Sequence, residues 1–296
     1  MNWMIGGRRL AFGMAALALG LVAAGPAAAG PNTGKLSLSG GIDFTTAYFF
    51  RGILQERDGL IVQPYLEVGA NLYSAPEDYD VSRDGPLSSI SLTLGTWNSL
   101  QSKQTGGTDE NDPVFYETDW YGGVNFGFFG KLDTGVSYVA YTSPSDAFST
   151  VQEVDFNLGL DDSEWLGAWA LSPSATFAIE TDGAALGKSG SYAQIGIEPS
   201  FEAIHSDTYP VNVSFPVTAG FSINNYYDGP GKNDQTWGFA DFGVVASVPL
   251  AFIPEDYGSW SFSGGAHLFT FNKGLQKINH DNDPWVVGVW SLSMTY

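Results

Sequence analysis

The stretch WVVGVWSLSMTY, residues 285–296, decides the fold. Val286, Trp290, Leu292, Met294 and Tyr296 fall on one face, with only Gly288 interrupting them. Ser291, Ser293 and Thr295 fall on the other, running up to Trp285, Val287 and Val289. A period of two with large apolar groups on one side describes a strand whose one face meets an apolar medium. A soluble chain rarely stops in mid-strand on an exposed aromatic, because chain ends fray. Outer-membrane barrels as a class do stop there, on an aromatic strand that assembly machinery reads. Tyr296, Met294, Leu292 and Trp290 are therefore the expected assembly signal, and that machinery an expected partner.

The opening of the chain agrees. Arg8 and Arg9 precede an apolar run, and Ala27-Ala28-Ala29 offers small residues for cleavage, which reads as a secretory signal over residues 1–29. Residues 30–296 then form one domain. Losing two arginines and no acids takes the net charge from −20 to −22. Acidity on that scale argues against nucleic acid as a partner. Cysteine is absent, so disulfides contribute nothing and no lipid-bearing Cys follows the leader.

Runs of alternating residues separated by Gly/Asp/Asn/Pro-rich breaks recur along the whole chain, weak singly and strong in series. Twelve candidate strands follow: 35–50, 61–73, 88–98, 114–128, 131–142, 151–160, 168–180, 191–203, 210–223, 236–249, 258–271 and 284–296. The expectation is all-β: a closed transmembrane antiparallel barrel with both termini periplasmic, in the outer membrane of a diderm bacterium. Its exterior would meet outer-membrane lipid. A sheet facing lipid has to close, since an open edge leaves backbone groups unsatisfied in hydrocarbon. Aromatics gather near strand ends: Tyr48, Phe49 and Phe50 at the expected outer rim, and Phe128, Phe129, Trp165, Trp169, Tyr257, Trp260 and Tyr296 at the inner one. The long inner connection 74–87 and prolines 64, 173, 199 and 216 inside strands run against the count and leave ten or fourteen strands open. A secreted β-sandwich is the competing architecture, because it also buries one face per strand.

Residues 36–73, LSLSGGIDFTTAYFFRGILQERDGLIVQPYLEVGANLY, carry Tyr48, Arg51 and Gly52, then Gln55 and Gln63. This run resembles the start of the TorF family of bacterial outer-membrane porins, which opens with a strand ending in Tyr-x-x-Arg-Gly. Residues 94–99, LGTWNS, are similar to that family's third strand. The acidic insert 105–113 and the connection 74–87 exceed the family pattern. The resemblance implies a porin-like outer-membrane protein and fixes no substrate.

With apolar faces outward, Asp43, Glu67, Glu117, Asp119, Glu198 and Asp241 face the lumen deep in their strands. Asp133, Glu153, Asp155, Glu180 and Glu202 also point inward, and for all of these but Asp155 a position near a strand end makes plain solvation a competing reading. Arg51 is the one assigned inward base, at the outer mouth where the chain turns, positioned to hold a carboxylate in a bidentate pair. Unpaired carboxylates favour a water-filled bore that admits small cationic or neutral solutes. The expected function is thus passive, cation-preferring diffusion, with a filled structural or interaction barrel of the envelope as the alternative. Catalysis finds thin support. Of His205, His267 and His280 only His267 sits in a strand, roughly 13 Å from a Ser four residues away, with no third group to orient it. No cofactor or resident metal is expected, although the acidic loops 109–112 and 281–283 offer oxygen ligands to divalent cations.

Overall fold

A computed structural model describes residues 35–76, 78–103, 114–227 and 235–296. The expected leader at 1–29 and the acidic run 109–112 lie outside these residues. In chain order the elements are β1 (Leu36–Thr45), β2 (Tyr48–Phe50), β3 (Ile53–Glu56), β4 (Ile61–Ser74), α1 (Val81–Asp84), β5 (Leu87–Gln101), β6 (Phe115–Phe128), β7 (Leu132–Thr142) and β8 (Val151–Leu160). There follow α2 (Ser163–Leu166), β9 (Ser174–Asp182), β10 (Ser191–Ile197), β11 (Ser200–Ile204), β12 (Val211–Ser214), β13 (Val217–Asn224), β14 (Trp237–Pro249), β15 (Ser259–Phe271), α3 (Lys273–Ile278) and β16 (Trp285–Thr295).

The wall is a closed antiparallel barrel of twelve staves. β10 with β11 forms one stave and β12 with β13 another, while the β2–β3 hairpin belongs to none. The breaks fall at Pro199 and Pro216, neither of which can donate to a ladder. Their carbonyls keep the staves joined, accepting from Phe215 N at 2.9 Å and from Gly243 N at 2.7 Å. β1 pairs with β16 from Ser39 opposite Thr295 to Thr45 opposite Val289. Leu38 and Tyr296 extend this seam by exchanging backbone hydrogen bonds of 2.9 and 2.7 Å.

Alternation holds along the staves. Leu66, Val68, Leu94, Val136, Phe156, Leu158 and Ile195 project outward and are exposed, whereas the buried cores lie inside the bore. Such an inside-out distribution demands an apolar surrounding medium and excludes the β-sandwich. The end holding Leu36 and Thr295 is called lower here, and the end holding the β2–β3 hairpin upper. Phe129, Trp165, Trp169, Tyr257 and Tyr296 are exposed aromatics at the lower end, as the alternation predicts. Trp290, Leu292 and Met294 lie on the outward side of β16, opposite the serines that face the bore.

Two expectations about the wall need correction. The first strand stops at Thr45 rather than residue 50, so Tyr48, Phe49 and Phe50 form no outer girdle; they turn into the barrel, where Tyr48 and Phe49 are buried. The seventh begins at Ser174, because Pro173 and a helical stretch over 163–169 occupy the preceding residues. The long lower connection is compact: Asp80 caps α1 by accepting from Ser82 N at 2.8 Å, and Arg83 clasps Asp78 and Asp84. Hydrogen bonding from Arg83 holds the Asp84 carboxyl down at about 2.

A closed sheet of this kind resists detergent until heated. Unboiled protein is expected to run faster than boiled protein on SDS gels; identical mobility would contradict closure at the β1–β16 seam.

Candidate functional site

The site begins where β1 leaves the wall. Thr46 makes the last contacts with β16, donating N to Gly288 O at 3.0 Å and accepting Gly288 N on Oγ1 at 2.9 Å. The chain then dives inward as a hairpin in which Phe50 faces Ile53. Its two-residue loop is Arg51-Gly52, with φ of +48° and +79°. Two positive φ values in succession make a type I′ turn, which suits Asn-Gly and puts a non-glycine residue in the left-handed region at a cost of roughly 1 kcal/mol or more. Gly52 is required twice over: for its φ, and because a Cβ there would sit 2.7 Å from the Phe239 ring.

What holds Arg51 in that conformation is its side chain, which is 1% exposed. Nη1 and Nη2 fork onto the two oxygens of Glu153, each at 2.8 Å, and Nη1 also donates to Tyr226 Oη at 3.0 Å. Asp155 stands 4.0 Å from Nη2. The guanidinium lies 4.4 Å from the Tyr192 ring centre, with Phe50 and Tyr226 at 5.1 and 5.3 Å. Tyr141 donates to Glu153 Oε2 at 3.0 Å, and Tyr227 donates to the Arg51 carbonyl at 2.9 Å.

The hairpin reaches the wall on every side. Tyr48 donates to Glu117 at 2.8 Å and packs against Trp97. Phe49 stacks on Phe269 and Phe271 at 5.0 and 5.4 Å and meets Trp285 edge-on. Asn279, just past α3, accepts from Leu54 N at 2.9 Å and donates to Gly52 O at 2.8 Å. A bulge between β5 and β6 turns both Tyr116 and Glu117 inward, and Tyr116 donates to Gln55 at 2.7 Å. The upper bore is therefore packed across its width by residues 47–56 and the wall around them.

The expected lumen residues divide by height. Glu117, Asp119 and Asp241 lie in or beside the plug, nearly excluded from solvent, where open water had been anticipated. Asp43, Glu67 and Glu198 are half-buried, Glu67 accepting from Tyr121 at 3.3 Å. Arg51, anticipated at the mouth, is inside the upper bore. Its partner Glu153 is one of the acids for which solvation competed, and it is wholly buried; Glu180 is buried too, while Glu202 is exposed beside His205. Inward parity on β8 gave Glu153 and Asp155 as candidates, but only register could join them to Arg51, 102 residues away. Tyr192, Tyr226 and Tyr227 carried no sequence signal of a site.

His267 does have an orienting group. Asp241 lies 2.9 and 3.0 Å from its Nδ1, supplied by the neighbouring β14, a relation invisible along one strand. Among the described residues Nε2 has no hydrogen-bond partner, so none of their serines is poised for deprotonation by it. A cavity of about 30 Å³ adjoins this ring, lined among others by Asp43, Gln63 and Ser291. In the loop 281–283, Asp283 accepts from Phe271 N and Gln276 instead of standing free. Among the described residues no three His, Asp or Glu side chains gather as metal ligands do.

No family model matches the chain, and no curated protein matches it. Among solved structures it is similar to the translocator domain of the autotransporter NalP from Neisseria meningitidis, at 13% identity over 90% of this chain and 89% of that one, TM-score 0.42. An outer-membrane channel from Pseudomonas putida F1 aligns at 10% identity over 88% and 95%, TM-score 0.44. LpxR from Salmonella typhimurium aligns at 10% over 87% and 99%, TM-score 0.40.

Removing one member of a buried pair strands the other. Glu153→Ala should destabilise the barrel by about 3–5 kcal/mol, and Tyr226→Phe by about 1 kcal/mol, read from urea unfolding in detergent micelles. Equal, near-zero effects would mean that the Arg51 network carries no structural weight.

Proposed function

We propose that this chain is a porin-like barrel of the bacterial outer membrane that passes small cationic or neutral solutes when its inward hairpin yields. The observation that carries this reading is the hairpin itself: a separate piece of chain, outside the wall, packed into the upper bore and fastened by Arg51 to Glu153. Below it the inward face is lined by small polar groups, such as Ser39, Thr93, Asn125, Ser261 and Ser293, among the half-buried acids Asp43, Glu67 and Glu198. A bore so lined holds water, and its carboxylates favour cations over anions. In this reading the lower end, with its shorter connections, faces the periplasm and the hairpin end faces outward. The likeness of residues 36–73 to the TorF porins supports the same assignment, since the shared Tyr48, Arg51 and Gly52 are the residues that build the fastening.

A filled barrel with a structural or contact role is the second reading, favoured by the dense aromatic packing of Phe49 with Phe269, Phe271 and Trp285. No catalytic role is assigned.

Planar-bilayer recording separates the two. Parent protein should open rarely, and Arg51→Ala should open more often by about two orders of magnitude, if roughly 3 kcal/mol of closed-state interaction is lost. Across a KCl gradient the reversal potential should mark cation preference, weakened in Asp43→Asn with Glu67→Gln. Silence from both parent and Arg51→Ala would leave the filled barrel; anion preference would sink the role given to the acids.

A further inference from the structure

We infer that the cage around Arg51 is a recognition site for guanidinium, occupied in this structure by the protein's own side chain, and that a free alkylguanidinium solute takes the same place when the hairpin withdraws. This deepens the channel reading and relies on it only for how the solute arrives. The cage belongs to the wall and not to the plug. Glu153 and Asp155 come from β8, Tyr141 from β7, Tyr192 from β10 and Tyr226 from just beyond β13; only Phe50 travels with the hairpin. Withdrawal of residues 48–56 would thus leave the site standing.

Its chemistry selects the planar cation. Glu153 presents both oxygens to a fork of two N–H groups, a geometry that guanidinium matches and ammonium does not. Tyr192 covers the cation's face, where ring quadrupole and desolvation reinforce one another. The cage also holds an acceptor that Arg51 reaches only at ion-pair range, since Asp155 Oδ1 is buried 4.0 Å from Nη2 and, among the described residues, accepts no hydrogen bond. A solute able to turn a further N–H toward it would be better matched than the tethered side chain.

Two further observations point the same way. The type I′ turn would be better served by Asn or Gly at position 51, so the arginine is there for its side chain, against local backbone preference. And a departing Arg51 takes away the positive charge forked onto the inward-facing Glu153, leaving the Tyr141 hydroxyl as a neutral donor, a state that favours a replacement cation.

The test is chemical rescue in the full chain. Arg51→Gly suits the left-handed turn while emptying the cage, and its residues 46–60 should be proteolysed faster than the parent's. Methylguanidinium chloride should protect that variant's barrel against unfolding in detergent micelles, lowering its unfolding equilibrium constant about tenfold at ten times its Kd by mass action, whereas equal sodium chloride or the neutral isostere methylurea should not. The parent, whose cage is filled, should not respond. Arg51→Met, which keeps the packing of the stem and removes only the charged head, serves if Arg51→Gly fails to fold; folding of either variant only with methylguanidinium in the refolding buffer counts as the expected rescue. Absence of rescue, rescue equally by sodium chloride or methylurea, or rescue that survives in Arg51→Gly with Glu153→Gln overturns the inference. Bilayer recordings on the same preparations separate the two proposals: rescue with silent bilayers keeps the cage and sinks the channel, and conductance without rescue does the reverse.

Discussion

A closed sheet of twelve strands encloses a bore wider than its own inward side chains fill, and lipid outside forbids relieving that by opening an edge. The molecule meets this constraint differently at its two heights. Below, serine, threonine and asparagine line the space with groups that water can satisfy. Above, the chain spends its first excursion from the wall on filling it, with Tyr48 on one flank, Phe49 on the other and Arg51 at the tip. The apolar core of this protein is consequently a plug, and the apolar surface that an ordinary protein would hide is its exterior.

Burying a guanidinium is a costly way to fasten a plug. A hydrophobic tip of similar volume would pack without any desolvation penalty, and replacing buried ion pairs in that way is often neutral or stabilising. The pair brings a defined position: aromatic rings at the hairpin flanks could slide along an apolar wall, while a forked pair with Glu153 and a hydroxyl from Tyr226 admit one depth and one rotation. Asn279 adds a second fixed point on the backbone of the loop itself, gripping Gly52 and Leu54.

The wall was legible in the sequence and the plug was not, for one physical reason. Lipid imposes an apolar requirement on every second residue, so Leu36, Leu38, Ile42 and Phe44 announce a strand and its outward face. Tyr48 and Phe50 keep the same parity as they turn inward, because the packed bore asks for large side chains just as lipid does. Alternation therefore runs straight through the point at which the chain leaves the sheet. The break was marked only by Arg51-Gly52, which reads as a rim turn when the strand is drawn too long. Bulges hide similarly: nothing local distinguishes Tyr116, turned inward beside Glu117, from an outward residue. Cross-strand relations such as Asp241 with His267 depend on register, which side-chain period leaves free by steps of two. Of the four prolines expected inside strands, Pro64 sits in an unbroken β4 opposite Ile42 and Pro173 lies before β9, while at 199 and 216 the staves split without being lost.

The seam strand and the plug are consecutive pieces of chain, and this orders events during assembly. β1 cannot complete its pairing until β16 arrives, and the hairpin that directly follows β1 finds Phe269, Phe271, Trp285 and Asn279 only among the last residues to be placed. These contacts with the end of the chain span more than two hundred positions, as with Asn279 and Gly52 at a separation of 227, so they contribute nothing until the ring is nearly whole. The hairpin behaves as a keystone: the last block seated, bearing on both sides of the joint that its own neighbour closes. A barrel still open at β1 would hold this aromatic segment unburied, and seating it would mark the completed molecule.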